Sequence, residues 1–177
     1  VGSVSLSQRW FDDGRFTAHA FRDAQIAAGA ELEEALDAFA ADRWEVALGS
    51  SGTVGAVSAV LGANDVTDGR ITPEALRWCI DRCLECGSIE KLTLPGIGEE
   101  RKPIIGGGLA LLYTLLTHFG IETLWPAKGA LRQGVIIELH QRSSGRQREG
   151  TADLRDTTVA ELQRRFDANV AHAARVR

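Results

Sequence analysis

A short turn at residues 49–53, rich in glycine and hydroxyl side chains, is the stretch of this chain best suited to bind an anion. It follows an apolar run at residues 46–48 and precedes a pattern of small apolar residues, typical of a helix, at residues 54–61. A buried strand, a glycine turn and a helix start would direct free backbone N–H groups and a positive dipole end at a ligand. Ser51 and Thr53 add hydroxyl donors and potential N-caps.

Two interpretations of this turn stay open on its residues alone. It matches neither the phosphate-loop pattern that ends in Lys followed by Ser or Thr, nor the Gly-x-Gly-x-x-Gly fingerprint of dinucleotide sites. An ordinary capped turn of an α/β protein is therefore the simpler explanation, and a ligand loop is the alternative.

The cysteines and histidines do not form a recognisable metal site. Cys79, Cys83 and Cys86 share one predicted helix at spacings of four and three, which places them on one face as buried core residues. A metal would need a fourth ligand and a second motif, and we expect a reducing, cytoplasmic setting instead. No two of the four histidines have the spacing of a metal-binding pair.

The chain has 177 residues, of which 44% are hydrophobic and 25% are charged, and its formal net charge is −4. This profile is typical of a soluble globular protein and gives no reason to expect nucleic-acid or membrane-surface binding. The apolar runs are too short to span a bilayer. Because the first residue is Val1, we expect a piece of a longer protein.

Hydrophobic periodicity predicts the elements that must position the turn. Residues 4–11 suit a strand or a short helix, and Thr17 caps a helix to about residue 41. Further helices are predicted at residues 73–86, 104–119 and 130–140, with a second short strand at 121–125. Two strand–turn–helix junctions predict parallel strands in an α/β architecture, with loops 49–53 and 127–129 at the carboxyl ends of the strands.

Several motifs in order resemble one family, the exopolyphosphatase/guanosine pentaphosphate phosphohydrolase (Ppx/GppA) family of the actin-like ATPase superfamily. They are Trp44-Glu-Val-Ala-Leu-Gly-Ser-Ser-Gly-Thr53, Leu92-Thr-Leu-Pro-Gly96, Glu99-Glu-Arg-Lys-Pro-Ile-Ile-Gly-Gly-Gly-Leu-Ala-Leu-Leu112 and Gly129-Ala-Leu-Arg-Gln-Gly134. The opening of the chain resembles the stretch after the phosphate loop of the family's second lobe.

The resemblance implies an α/β, ribonuclease-H-like (actin-like) lobe, mostly helical with a small sheet. Residues 1–142 would be the second lobe, 143–150 a linker, and 151–177 a short helical tail that starts the C-terminal helical domain. The first lobe, with its phosphate loop and the Glu taken as general base, has no counterpart in this chain, so we expect no catalytic residue in it. The chain alone is therefore expected to be inactive.

The resemblance also implies which residues contact the ligand. They would form one wall of a cleft, from Ser50, Ser51, Gly52 and Thr53, with Arg101 placed to pair with a phosphate. For Arg101, a surface ion pair with a neighbouring Glu is the alternative. Lys128 replaces an acidic residue that many members carry, which would make the wall more positive.

The predicted function is part of a bacterial exopolyphosphatase that releases orthophosphate from the ends of inorganic polyphosphate. The alternatives are a guanosine pentaphosphate phosphohydrolase and a non-catalytic actin-like remnant that binds nucleotide or polyphosphate. Mg²⁺ is the cofactor expected in the full-length protein, since phosphoryl transfer needs a cation on the phosphate oxygens. We expect the full-length form to be a homodimer.

Overall fold

The computed structural model describes residues 2–127, 129 and 131–143, and only the backbone at residues 141–143. The chain divides into two compact units, Val1–Ala130 and Leu131–Arg177, and each is treated by itself. The predicted linker and tail, at 143–150 and 151–177, lie almost entirely outside the described residues. The predicted division into domains therefore stays a prediction.

Helices dominate the described residues, with one two-stranded sheet. The helices are α1 (Ser3–Trp10), α2 (Ala18–Leu32), α3 (Gly52–Ala63), α4 (Pro73–Cys86), α5 (Lys102–His118) and α6 (Leu131–Ser143); the strands are β1 (Ala47–Gly49) and β2 (Leu124–Pro126). Short 3₁₀ turns occur at Glu33–Ala35, Ala41–Arg43 and Glu99–Arg101. The predicted class, a mostly helical α/β lobe with a small sheet, is confirmed.

Helix α4 begins and ends where the sequence predicts, because capping residues lie at both of its ends. The Thr72 hydroxyl accepts a hydrogen bond from the Ala75 N–H at 3.2 Å. Pro73 occupies the first turn, where a missing N–H costs nothing. Gly87 ends the helix in the left-handed region, at φ 74°.

Helix α2 begins as predicted and ends earlier. The Thr17 hydroxyl caps it by accepting from the Ala20 N–H at 3.1 Å. The helix ends at Leu32, although the apolar pattern predicted about residue 41. The reason is burial. Phe39 is 62% exposed and none of residues 33–40 is fully buried, so burial of apolar surface gives little stabilisation to further helical turns.

The core is organised around α5, which packs against α1, α2 and α4. Most of this helix is buried, from Ile105 to Leu116, as its apolar character predicts. Phe11, Phe16 and Phe21 add an aromatic cluster, with the rings of Phe11 and Phe21 at 4.9 Å edge to face. The 4–11 segment is therefore the helical alternative, α1, held by this core.

The sheet is parallel, as predicted, but one face is open. Ala47 pairs with Leu124 and Leu48 with Trp125. The first pair faces the core, and Leu124 is 5% exposed. The second pair points to the opposite face, where Leu48 is 66% exposed. The prediction of a buried β1 is wrong, because no described element of the unit Val1–Ala130 covers that face.

Candidate functional site

The turn at residues 49–53 forms the capped start of α3. The Ser51 hydroxyl oxygen accepts a hydrogen bond from the Val54 N–H at 3.2 Å, which makes Ser51 the N-cap. In an α-helix the first N–H groups have no intrahelical carbonyl, so the Gly52 and Thr53 amides are oriented for an external acceptor. Ser50 and Gly52 are exposed beside them. The turn is thus both a capped helix start and a surface able to accept an anion.

Arg101 lies directly on this turn, although 49 sequence positions separate it from Gly52. A Cβ built on Gly52 would lie 2.7 Å from Nη2 and 2.8 Å from Nη1 of Arg101. The guanidinium therefore occupies the space that any side chain at position 52 would need. Its donors and its charge stand at the positive end of α3, where they add to the attraction for an anion.

The alternative for Arg101, a surface ion pair, is present but long. Its Nε lies 3.9 Å from Oε1 of Glu100, and the Arg101 side chain is 37% exposed. Such an exposed pair contributes little. Glu99 pairs with Lys102 instead, at 2.7 Å. Arg101 therefore combines one long ion pair with close packing against Gly52.

Thr53 connects the turn to the N-terminus of α1. Its hydroxyl donates to the Ser3 hydroxyl oxygen at 3.1 Å, in a partly buried position. Ser3 was not among the site residues predicted from the sequence. The available signal was the run Gly106-Gly107-Gly108, because glycines at the start of a helix allow another backbone to approach closely. Gly107 and Gly108 approach Ser3, and Gly108 also approaches Thr53.

The second predicted ligand loop meets the first at the same edge of the sheet. The Ala127 N–H donates to the Gly49 carbonyl at 2.8 Å, directly before the α3 turn. This contact agrees with the expectation that both loops follow the carboxyl ends of parallel strands. Lys128 lies outside the described residues, and its role stays a prediction.

The donor atoms at this site do not fit a protein-bound Mg²⁺. They are hydroxyls, amides and a guanidinium, whereas Mg²⁺ in proteins is held by carboxylates, waters and phosphate oxygens. The flanking Glu99 and Glu100 side chains are 85% and 75% exposed and face Lys102 and Arg101. Within residues 2–127, 129 and 131–140, no cluster of three His, Cys, Asp or Glu side chains suits a metal. A magnesium site stays a prediction for the longer protein.

The cysteines are core residues, as predicted. Cys79 and Cys83 are buried, and Cys86 is half-buried near the end of α4. Burial raises the pKa of the Cys79 thiol to about 12 and raises the pKa of Cys83 as well, because a thiolate is poorly solvated there. Neither thiol is a nucleophile at neutral pH.

The comparisons with known proteins point to one family. A model of the Ppx/GppA phosphatase family matches residues 1–143. The chain is 33% identical over 177 residues to a guanosine-5′-triphosphate,3′-diphosphate pyrophosphatase of Aeromonas hydrophila, and spans about a third (34%) of that protein's length. In the described residues, no helix is long and apolar enough to cross a membrane.

Solved structures of Ppx/GppA proteins from Aquifex aeolicus share the fold. One, a type II variant of the phosphatase, matches with a TM-score of 0.62 at 16% identity, over 78% of this chain and 47% of that one. Another structure of an Aquifex aeolicus PPX-GPPA enzyme matches with a TM-score of 0.62 at 19% identity, over 78% of this chain and 47% of that one. The family model, the ordered motifs and the fold agree, and this chain belongs to the Ppx/GppA phosphatase family.

Proposed function

We propose that this chain is the second lobe of a phosphoanhydride hydrolase whose substrate is guanosine pentaphosphate. In this role it binds and orients the phosphate chain from one wall of a cleft. The groups that activate water and hold Mg²⁺ belong to the first lobe of the longer protein.

The position of Arg101 on Gly52 is the observation that carries the proposal. A guanidinium at a helix start combines a full positive charge with oriented backbone amides, and both stabilise the same ligand oxygens. Arginine also offers two parallel donors to one phosphate group. Because the opposing Glu100 is distant and exposed, Arg101 keeps donors for a ligand. Ser50, Ser51, Gly52, Thr53 and Arg101 therefore form one anion-binding surface.

The choice of substrate follows the curated relative. The sequence motifs alone favoured inorganic polyphosphate, with guanosine pentaphosphate as the alternative. The relative at 33% identity is named for the hydrolysis of guanosine-5′-triphosphate,3′-diphosphate, which favours the second. Both substrates present terminal phosphoanhydrides, so the same wall suits either, and the two differ in whether a guanosine contributes to binding. A cytoplasmic, homodimeric full-length protein is part of this proposal.

The test is equilibrium binding of guanosine pentaphosphate and of inorganic tripolyphosphate to the 177-residue chain, measured by calorimetry. Arg101→Gln should weaken the binding of both about tenfold or more, because a charge-assisted hydrogen bond contributes roughly 1.5–3 kcal/mol. It should also lower the dependence of the affinity on salt concentration.

The matched control is Arg77→Gln. Arg77 is an exposed arginine of α4 that pairs with Asp81 at 3.5 Å. Equal losses in the two variants would contradict a specific role for Arg101. Equal affinities for guanosine pentaphosphate and tripolyphosphate would contradict the nucleotide as the preferred ligand and support polyphosphate.

A further inference from the structure

We infer that Ser3 and Gly108 are positioning residues for Thr53: together they hold the Thr53 hydroxyl in one orientation at the start of α3. The inference rests on the proposed function, since Thr53 belongs to the proposed anion-binding surface. It goes beyond that proposal, which assigns neither Ser3 nor Gly108 to the anion-binding surface.

Ser3 fixes the polar branch of Thr53. The two hydroxyl oxygens are 3.1 Å apart, and Thr53 is the donor. A hydroxyl carries one donor, so a bond between two hydroxyls always leaves one O–H donor unused. Because Thr53 is the donor, the unused O–H is that of Ser3, and the bond holds it next to Thr53 at the start of α3. The pair therefore presents the Ser3 donor to a phosphate oxygen from a fixed position, which a freely rotating threonine would not do.

Gly108 fixes the apolar branch. A Cβ built at position 108 would lie 2.6 Å from the Thr53 methyl carbon and 3.6 Å from the Ser3 Cβ. The first distance is far below van der Waals contact, so the methyl occupies the space left by the missing side chain. A β-branched residue has few χ1 states, and contacts on both branches select one.

Gly107, next to Gly108, allows α1 to pack closely against α5 near Thr53. A Cβ at Gly107 would lie 2.6 Å from the Ser3 carbonyl oxygen and 2.5 Å from the Ser7 backbone nitrogen. The Gly107 N–H donates to the buried Ser7 hydroxyl at 3.0 Å. These contacts hold α1 against α5, and with it the Ser3 hydroxyl against Thr53.

The experiment measures the rotamer of the Thr53 side chain and the ligand affinity separately, on the 177-residue chain. Three-bond couplings of the Thr53 methyl carbon report χ1 by NMR, and calorimetry reports the affinity for inorganic tripolyphosphate. We expect a single rotamer in the unmodified chain and averaged couplings in Ser3→Ala. In Gly108→Ala we expect a different rotamer. Both variants should bind tripolyphosphate about fivefold more weakly, the size of one lost hydrogen bond.

A rescue variant separates positioning from general damage. Thr53→Ser removes the methyl that collides with a Cβ at position 108 and keeps the hydroxyl. We therefore expect Thr53→Ser combined with Gly108→Ala to recover most of the affinity lost in Gly108→Ala alone. The control is Gly55→Ala, another helical glycine of this region, whose added Cβ would meet nothing within 4 Å.

The inference is overturned if Gly108→Ala leaves the Thr53 couplings unchanged, as Gly55→Ala should. It is also overturned if affinity falls in Gly108→Ala and the double variant does not recover it. If the unmodified chain binds no tripolyphosphate, the proposed function loses its support. In that case the couplings in Ser3→Ala and Gly108→Ala alone decide the inference.

Discussion

At the scale of single residues, the absence of a side chain at Gly52 matters as much as the charge of Arg101. The guanidinium nitrogens lie within 2.8 Å of where a Cβ would be. Gly52 is the first residue of α3, and its φ angle is not in the left-handed region. Backbone conformation therefore does not require a glycine at this position. The space it leaves is the feature that places a cation at the helix start.

Gly52→Ala separates binding from stability. The added methyl should push Arg101 away from the turn and weaken tripolyphosphate binding about fivefold, as the loss of one hydrogen bond would. Alanine at a helical position should keep or slightly raise the free energy of unfolding, because it restricts the unfolded chain. Calorimetry and urea unfolding on the same sample measure both. A parallel loss of affinity and stability would show instead that the variant damages the fold.

Because of the buried thiols, we expect the free energy of unfolding to fall as the pH rises into the alkaline range. The Cys79 pKa rises from 9.0 to about 12 on folding, so above pH 9 the unfolded chain loses the thiol proton more readily. This contribution to stability is complete below pH 9 and is lost as the pH rises towards 12. The loss is up to about 1.4 kcal/mol per pH unit.

The measurement is the urea midpoint at pH 8 and pH 10. The Cys79→Ala variant should have a lower urea midpoint at pH 8 than the unmodified chain. Its midpoint should also fall less between pH 8 and pH 10. An equal fall in both proteins would mean that Cys79 does not titrate on unfolding. Lysine and tyrosine titration cancels in the comparison, because both proteins carry those groups.

At the scale of elements, the glycine run at the start of α5 joins three helices. Gly106 approaches the Phe11 ring, Gly107 the α1 backbone, and Gly108 the Thr53 methyl. Three glycines in one helix cost about 1 kcal/mol each relative to alanine. The close packing of α1 on α5 offsets that cost, since larger residues would hold the helices apart.

Gly107→Ala should therefore destabilise the fold, despite the higher helix propensity of alanine. The new Cβ would meet backbone atoms of α1 at 2.5 and 2.6 Å, which cannot rotate away. We expect a loss of about 1–3 kcal/mol, typical of overpacking. The control is Gly62→Ala in α3, where a Cβ would meet nothing within 4 Å and stability should hold or rise. Urea unfolding of the two variants distinguishes these outcomes.

At the scale of the whole molecule, the proposed role of the chain is to supply one wall of a site. The chain spans 34% of the curated relative and 47% of the Aquifex aeolicus chains, so it corresponds to only part of each of those proteins. The exposed pair Leu48 and Trp125 also leaves one face of the sheet without a covering layer among the described residues of the unit Val1–Ala130.

The isolated chain should bind phosphate chains without hydrolysing them. We expect no orthophosphate release from guanosine pentaphosphate or polyphosphate with Mg²⁺ present, because we propose that the groups that activate water and hold Mg²⁺ belong to the first lobe. A phosphate-release assay on the purified chain measures this, with the longer protein as positive control. Sustained turnover by the chain alone would contradict the assignment of the catalytic groups to the missing lobe.

The sequence by itself determined the helices whose capping residues lie within a few positions of the helix ends. Thr72, Pro73 and Gly87 define α4, and Ser51 caps α3, because capping depends on neighbours along the chain. The two strand–turn–helix junctions predicted the parallel pairing of the strands, and the order of the motifs indicated the family. The C-terminal end of α2 did not, because helix length depended on burial that only the fold provides.

Only the tertiary structure decided which distant residues meet. The contact of Arg101 with Gly52 joins residues 49 positions apart, and the hydrogen bond of Thr53 with Ser3 joins residues 50 positions apart. No periodicity encodes such contacts, because they depend on how α1, α3 and α5 pack. The sequence predicted a glycine turn able to bind an anion. The fold placed a guanidinium on that turn and a second hydroxyl beside it.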